Sequence, residues 1–550
     1  MKLRSDILKV YQSLHTWTGI VAGLLLFIAF YAGALTMFKQ PIDRWLNPPS
    51  QRMAPLAIED YDLLVNQVLT EHPESHKGFT LKLETTENVV APIMWSTAGR
   101  GHEIELSSPN TYATLGPDKA LVVRETTPSV LAELIDMLHR TAGIPFLAGH
   151  EYIGIYILGI ASILYFLALA SGVILLLPTL VKDFFALRPG KNKKRFWLDA
   201  HNIIGITSLP FHIIISLSAI VFAFHDQFYD GLRQVVYPAP ETMFNLGEQP
   251  PKRDFSVYDI RPVSEILADI KERAPNVQVS ELLYMNLDTP RAMVRAAVID
   301  TDFMVTGARE GYLGIHPYTG DVLRSGMLPG QEGTWGSIVN KFFSLHFGSF
   351  GGDPIRWVYF FLGIGGAVLF YTGNLLWLEK RRKKLKRNDD LPSQRRACHV
   401  MARLSVGVCL GSIAGVFAAM VSVKWFHIHL ENTNVAATSI YYAVFLGAVA
   451  WALFRGAARA GVELCLLCAI TALLIPITSL TGMLLPALGP WAHTSVGVVA
   501  VDLTALIGAI CFFTFANIAW QRAKNGPADS VWSLGEAAPN TSLETAPLID

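Results

Sequence analysis

Charge is scarce in this chain. Asp, Glu, Lys and Arg make up 16% of 550 residues, against about a quarter in an ordinary soluble domain. The 45 basic and 45 acidic residues cancel, so no charge of one sign marks the chain for nucleic acid, and no nucleic-acid partner is expected. Cysteine is scarcer still. Cys398, Cys409, Cys465, Cys468 and Cys511 all lie in or beside the late apolar runs. The loops read below as external contain none, which excludes a disulfide framework there. Cys465 and Cys468 form a C-x-x-C inside an apolar run and read as small buried hydrophobes. Neither a Walker A motif nor a G-x-G-x-x-G after a predicted strand occurs, so the chain is not expected to bind a nicotinamide cofactor itself.

What is abundant is apolar length. The sequence is 51% hydrophobic with a mean hydropathy of +0.35. Several stretches exceed the roughly 18 to 20 residues that cross a bilayer as a helix. A polytopic α-helical membrane protein of about eight transmembrane helices follows. Basic residues gather in the N-terminal "MKLRSDILK", in "KDFFALRPGKNKKRF" (182–196) and in "EKRRKKLKR" (379–387), which the positive-inside rule places in the cytoplasm. The resulting plan has a first helix at 1–39, an external module at 40–150, a second helix at 151–180 and a basic loop at 181–199. A third helix at 200–225, a second module at 226–350, a fourth helix at 351–378 and a basic loop at 379–398 follow. Four further crossings occupy 399–520, and 521–550 forms a cytoplasmic tail, so both termini are cytoplasmic. Beyond "WQRAKNGPADS" (520–530) that tail is polar, carries prolines and reads as disordered. "FYAGAL" offers a small-residue context for signal cleavage, but the histidine pattern below uses this first segment, which is therefore read as retained.

Each external segment holds an acidic helix-like stretch and then alternating strand-like residues. "YDLLVNQVLTEHPES" precedes "FTLKLETTENVVAPIMWST", and "VSEILADIKERAP" precedes "VQVSELLYMNLDTPRAMVRAAVI". The turns in "LGPDKALVVRE" and "HPYTGDVLRSG" again lead into strands. Two small α+β modules on one plan are expected.

The modules sit inside a larger duplication. "LHTWTG" (14–19) and "DAHNIIG" (199–205) each place a Gly four residues after a His at the mouth of a membrane helix. Aligned without gaps, His15 and Gly19 match His201 and Gly205, and Gly33 matches Ala219. After each module an amphipathic stretch ends in Leu-His, "LAELIDMLHR" (131–140) and "GSIVNKFFSLHF" (336–347), so His139 matches His346. Each then leads to a helix with "SG" (171–172) or "TG" (372–373) near its inner end. A pseudo-two-fold axis along the membrane normal would set His15 and His201 at one depth, and His139 and His346 at another. That arrangement suits two bis-histidine haems, one above the other. Zinc or copper is the other reading of four such histidines, although no acidic or thiolate partners stand beside them. A bland reading also stands, in which duplication has copied interfacial histidines of no special role.

His212 follows His201 by eleven residues, about 16 Å along one helix. That puts an ionisable group near mid-membrane, where it is costly. It could ligate the outer haem, bond a propionate, or satisfy the carbonyls that Pro210 frees.

At this point the chain resembles the PepSY-associated transmembrane-helix proteins, iron-regulated proteins of the bacterial inner membrane. The resemblance rests on "LHTWTGIVAGLLLF" (14–27), the "LH" at 138–139, "AHNIIGITSLPFH" (200–212), "LHFGSFGGDPIRW" (345–357) and "TGNLLW" (372–377), covering about residues 1–385. It implies PepSY-like periplasmic modules and a four-helix core that binds haem, read with the symmetry above as two haem b groups. It also implies reduction of ferric siderophores on the periplasmic side. The family's histidine motifs fall on His15, His139, His201, His212 and His346, while the pairing of these histidines comes from the symmetry alone. The third helix departs from the family pattern, since Asp-Ala-His (199–201) replaces Asp-Leu-His.

The expected activity is therefore a haem-dependent inner-membrane reductase, taking electrons from a cytoplasmic or quinone donor and releasing iron(II) from a ferric siderophore. Arg140, Trp335, Arg356 and Trp357 flank the histidine motifs and could contact an anionic or aromatic ligand, or simply anchor the interface. The four crossings after residue 398 lie outside the core pattern. His399 stands at their inner entrance. His427, His429 and His493 at their outer end are candidates for an extra metal site, or ordinary loop residues. Two other functions stay open: a regulatory scaffold whose modules bind a peptidase or transport partner, and a transporter for iron, haem or siderophore.

Overall fold

The computed structural model describes residues 4–96, 106–149, 151–184, 186–188, 193–235, 255–300, 310–329, 334–385 and 390–534. Among them seven helices are long and apolar enough to cross a membrane, or eight if one bent pair is a single span.

Four spans form the duplicated core. Helix α1 (Ser5–Thr36) runs on into a short amphipathic helix, α2 (Lys39–Leu46). The first module follows, with α3 (Tyr61–Glu71), β1 (Gly78–Lys82), β2 (Ile93–Ser96), β3 (Asn110–Leu115) and β4 (Leu121–Thr126). Helix α4 (Leu131–Thr141) leads to the second span, α5 (Ile153–Leu176). The third is the bent pair, α6 (Lys193–Thr207) and α7 (Leu209–Ala223), which meet at 69°. Pro210 explains the break: it has no N–H to give and its ring clashes with the carbonyl four residues back. The single straight helix expected at 200–225 is thus two segments, and His212 does not lie 16 Å along a common axis with His201.

In the second module α8 (Val263–Arg273) precedes β5 (Gln278–Met285), β6 (Met293–Ile299), β7 (Gly311–Ile315) and β8 (Val322–Met327). Helix α9 (Thr334–Phe347) then leads to the fourth core span, α10 (Gly352–Arg381). Helices α1, α5, α6/α7 and α10 pack in a ring. Small residues allow the closest approach, as is usual between helices in lipid. A Cβ built on Gly363 would stand 3.0 Å from Ala34 Cβ, and one on Gly366 would stand 2.2 Å from Phe30 Cδ1.

The two modules join in one antiparallel sheet ordered β8-β7-β6-β5-β1-β2-β3-β4. Equivalent first strands meet at its centre, with Gly78 opposite Met285 and Lys82 opposite Glu281. An antiparallel pair of equivalent strands is what a two-fold axis produces. Helices α3 and α8 cover one face, burying Phe79, Leu81, Leu282 and Tyr284 in a shared core. Asp62 ties the two helices together by accepting from the Val263 N–H and the Ser264 hydroxyl. The other face looks down on the mouth of the helix ring.

The C-terminal extension comprises α11 (Arg396–Phe426), α12 (Asn434–Arg455), α13 (Ala457–Leu484) and α14 (Val496–Asn525). After α14 the chain folds back. Asp529 accepts from the Leu385 N–H at 2.6 Å and pairs with Arg382 at 3.2 Å. Trp532 is buried beneath the Arg522 guanidinium. The tail expected to be disordered is therefore packed as far as residue 534, because an aromatic and an aspartate find partners on the core, and 535–550 lie outside the described residues.

Candidate functional site

The ring of core helices brings four histidines together as two pairs. His15 on α1 faces His201 on α6 with ring centroids 6.2 Å apart. His139 on α4 faces His346 on α9 at 6.0 Å. The first pair lies toward the basic loops, the second beneath the sheet.

Each imidazole is fixed by the hydrogen bond of its Nδ1. His15 donates to the Ala168 carbonyl and His139 to the Ala29 carbonyl, both at 2.8 Å. In the second repeat a hydroxyl stands between ring and carbonyl. His201 Nδ1 lies 3.1 Å from Thr372 Oγ1, whose proton goes to the Leu369 carbonyl. His346 Nδ1 lies 2.6 Å from Ser218 Oγ, which donates to the carbonyls of Ile214 and Ile215. Aligning Gly172 with Gly373 sets Ala168 against Leu369, and aligning His15 with His201 sets Ala29 against Ile215. The same backbone positions thus serve both repeats, directly in one and through a hydroxyl in the other. All four rings carry their proton on Nδ1, which leaves each Nε2 with a free lone pair. Such outer partners fix the tautomer and orientation of histidines that bind metal.

Glycines shape the space around these rings. A Cβ on Gly172 would lie 3.0 Å from His15 Cε1, and one on Gly33 would lie 2.6 Å from His139 Nδ1. One turn beyond His15, Gly19 faces open space. A Cβ on Gly205, the matching residue after His201, would make ordinary contact with Leu369 Cδ1 at 3.6 Å.

A cavity of about 1,100 Å³ opens from the His139–His346 pair toward the sheet. Tyr165 and Phe30 lie in its depths, Arg140 and Arg356 at its sides, and Tyr112 and Glu310 reach it from the sheet. Arg140 pairs with Asp136 at 3.5 Å and Arg356 with Asp353 at 3.0 Å. Burial raises the Glu310 carboxyl above its ordinary range, against the Ser280 hydroxyl that donates to it. Trp357 packs instead on Phe38, with ring centroids 4.5 Å apart. The Trp335 side chain lies outside the described residues.

His212 meets no other imidazole. Fully buried, it accepts or donates at Nε2 with Ser208 Oγ at 2.8 Å, and its Nδ1 has no hydrogen-bond partner. Phe30, Tyr165 and Phe211 surround it with centroids 5.4–5.9 Å away. Phe370, which follows Leu369 at the inner pair, touches Phe30, which follows Ala29 at the outer pair. This aromatic cluster fills the space between the two pairs.

Residues 12–380 match the profile of the PepSY-associated TM region. The chain belongs to that family. The matched segment contains both histidine pairs and both modules, begins within α1, takes in the other core spans and stops at the end of α10. Comparison with curated proteins returns no match. The extension beyond the family segment gathers no metal site: among the described residues no group of three or more His, Cys, Asp or Glu could hold an ion. His427 stacks edge-on against Trp491, His493 Nε2 bonds the Asn47 carbonyl at 2.9 Å, and His429 is exposed.

One buried cluster escaped the sequence reading. Lys424 is fully buried, with Nζ 3.6 Å from the Trp45 ring centre and 3.0 Å from the Trp491 carbonyl. Trp45 in turn donates to Asp502 at 2.9 Å. A lysine and an aspartate inside apolar runs were the available signal.

Proposed function

We propose that the chain is a haem-dependent inner-membrane reductase that carries electrons across the bilayer to a ferric siderophore and releases iron(II). The observation supporting this most strongly is the spacing within each histidine pair. Metal–imidazole bonds of about 2.0 Å on opposite sides of one iron set the two ring centroids about 6 Å apart. The rings here are 6.2 and 6.0 Å apart, each with Nδ1 occupied and Nε2 free. His15 with His201, and His139 with His346, would hold one haem b each.

A haem held by these histidines would supply one-electron transfer. The chain's own residues do the rest. Ala168, Thr372, Ala29 and Ser218 hold the imidazoles in one tautomer. Phe30, Phe370, Tyr165 and His212 keep the gap between the pairs packed and dry. The sheet roofs the outer cavity, where Arg140 and Arg356, each paired with an aspartate, offer hydrogen-bond donors to a chelate. One electron, drawn from a quinol or a cytoplasmic reductant, converts the bound iron(III) to iron(II). Hard hydroxamate or catecholate oxygens hold the lower charge less tightly, and the metal leaves.

The test is an absorption spectrum and haem assay of protein purified after haem-replete expression. Two haems per chain are expected, falling to one in H201A and to one in H346A. Colourless wild-type protein would sink the proposal.

A further inference from the structure

We propose that the C-terminal extension is a clamp that positions α4, and that Asn434 and Tyr442 are its jaws. Asn434 opens α12 and is buried, at 2% exposure. Its Oδ1 accepts from the Val130 N–H at 2.9 Å, immediately before α4 begins. Its Nδ2 donates to the Pro128 carbonyl at 3.0 Å and reaches the Leu106 carbonyl at 3.3 Å. One side chain thus spends its donor and acceptor on the segment that starts α4. Ser129 Oγ accepts from the Leu131 N–H at 3.4 Å, and Asn434 takes the N–H just before it, so a local and an outside group share the start of α4.

The other end of α4 is held from the same helix of the extension. Ala142 and Gly143 leave α4 with φ of 53° and 79°. A left-handed alanine is unfavourable by itself and persists where its surroundings impose it. Tyr442 donates its hydroxyl to the Gly143 carbonyl at 3.2 Å. Tyr441, fully buried, packs against the same turn, since a Cβ on Gly143 would lie 3.6 Å from its hydroxyl.

The extension is itself pinned to the core beside this point. Trp45 of α2 bonds Asp502 and Ser479 and lies under the Lys424 ammonium, while Trp491 donates to the Trp45 carbonyl. Tyr31 of α1 donates to the Ser412 carbonyl of α11. These contacts are directional and buried, so they fix one docking geometry.

Among the described residues these contacts of Asn434 and Tyr442 fall on one repeat. Helix α9, the symmetry mate of α4, has its main packing partners in α7 and β8 of its own repeat. The pseudo-two-fold axis therefore relates two histidines, His139 and His346, whose helices are anchored differently. His139 is held in place through Asn434 and Tyr442. Where His139 acts as a haem ligand, which rests on the function proposed above, these two residues become positioning residues for that centre.

Hydrogen–deuterium exchange on the purified full-length protein tests the clamp without reference to any cofactor. In N434A, amides of α4 should exchange roughly ten- to a hundredfold faster, the loss expected for two buried hydrogen bonds. Those of α9 should not change. Y442F, which removes one oxygen, should produce a smaller effect at the C-terminal turn of α4 and serves if N434A does not fold. Unchanged exchange along α4 in both variants overturns the clamp. A redox titration followed optically supplies the second measure: the midpoint of the His139 centre should move while that of the His15 centre stays. Equal movement of both centres would mean general loosening and would also overturn it. Colourless protein with faster α4 exchange would refute the haem reading and support the clamp.

Discussion

Thr372 stands between the His201 ring and the Leu369 carbonyl, taking the Nδ1 proton of the first and giving its own to the second. In the other repeat His15 reaches the matching carbonyl of Ala168 unaided. The hydroxyl is therefore an added partner that favours the same tautomer in the second repeat. T372V should remove the hydroxyl acceptor of the His201 Nδ1–H, at a cost of about 0.5–1.5 kcal/mol. T372S should restore the bond. Thermal unfolding, and the optical spectrum of any haem that His15 and His201 hold, should both separate the two variants. Indistinguishable T372V and T372S would show that the hydroxyl does not hold the ring.

Pairing makes a prediction that single variants cannot. If His15 and His201 serve one centre, H15A, H201A and the double variant should all lose the same spectral component. Removing His139 or His346 should delete the other. A variant crossing the pairs, such as H15A with H346A, should lose both. Residual haem at full wild-type level in any of these would break the assignment of ligands.

Much of this arrangement was legible in the chain itself. The histidine pairs came from repeat alignment, because duplication writes each histidine twice at one spacing. The glycine four residues after His15 was visible too, and the structure shows open space beside it. Other parts left no sequence signature. Ala29 and Ala168 act through backbone carbonyls, which every residue has. The merging of two modules into one sheet depends on β1 meeting β5 across more than 190 residues, and strand pairing at that range is set by the surrounding fold. The bend at Pro210 was foreseeable in place but not in size. The clamp on α4 needed Asn434 and Val130 to meet, and nothing in either local sequence points to the other.

Close helix packing gives a third expectation. The Phe30 ring occupies the space where a Gly366 side chain would be. G366A must push that ring into Tyr165, Phe370 and His212, which already pack around it. Overpacking of this kind costs about 1–3 kcal/mol. G366A should lower the unfolding midpoint, and F30L in the same chain should recover part of the loss by making room. Additive losses in the double variant would show that the two residues do not share the space. G33A carries a related expectation, since its methyl would press on His139 itself.

The last expectation concerns pH at the sheet end. Burial, reinforced by the nearby Arg44 guanidinium, depresses the His493 imidazole to about 4 from its ordinary value of 6.5. In its neutral form it donates to the Asn47 carbonyl, and Asn47 in turn accepts from the Ser129 N–H ahead of α4. A histidine whose folded pKa lies below its unfolded one binds fewer protons when folded. Its contribution to stability is then complete above about pH 6.5 and declines as pH falls toward 4. The groups that face it in this region include Arg44 and Lys424, both cationic, so protonating the ring adds a third positive charge with no new partner. The unfolding midpoint of the wild-type protein should therefore drop between pH 7 and pH 4.5. H493Q keeps an amide donor for the Asn47 carbonyl but cannot titrate, and its midpoint should fall less over the same range. Parallel pH profiles for H493Q and wild type would show that His493 does not titrate with folding.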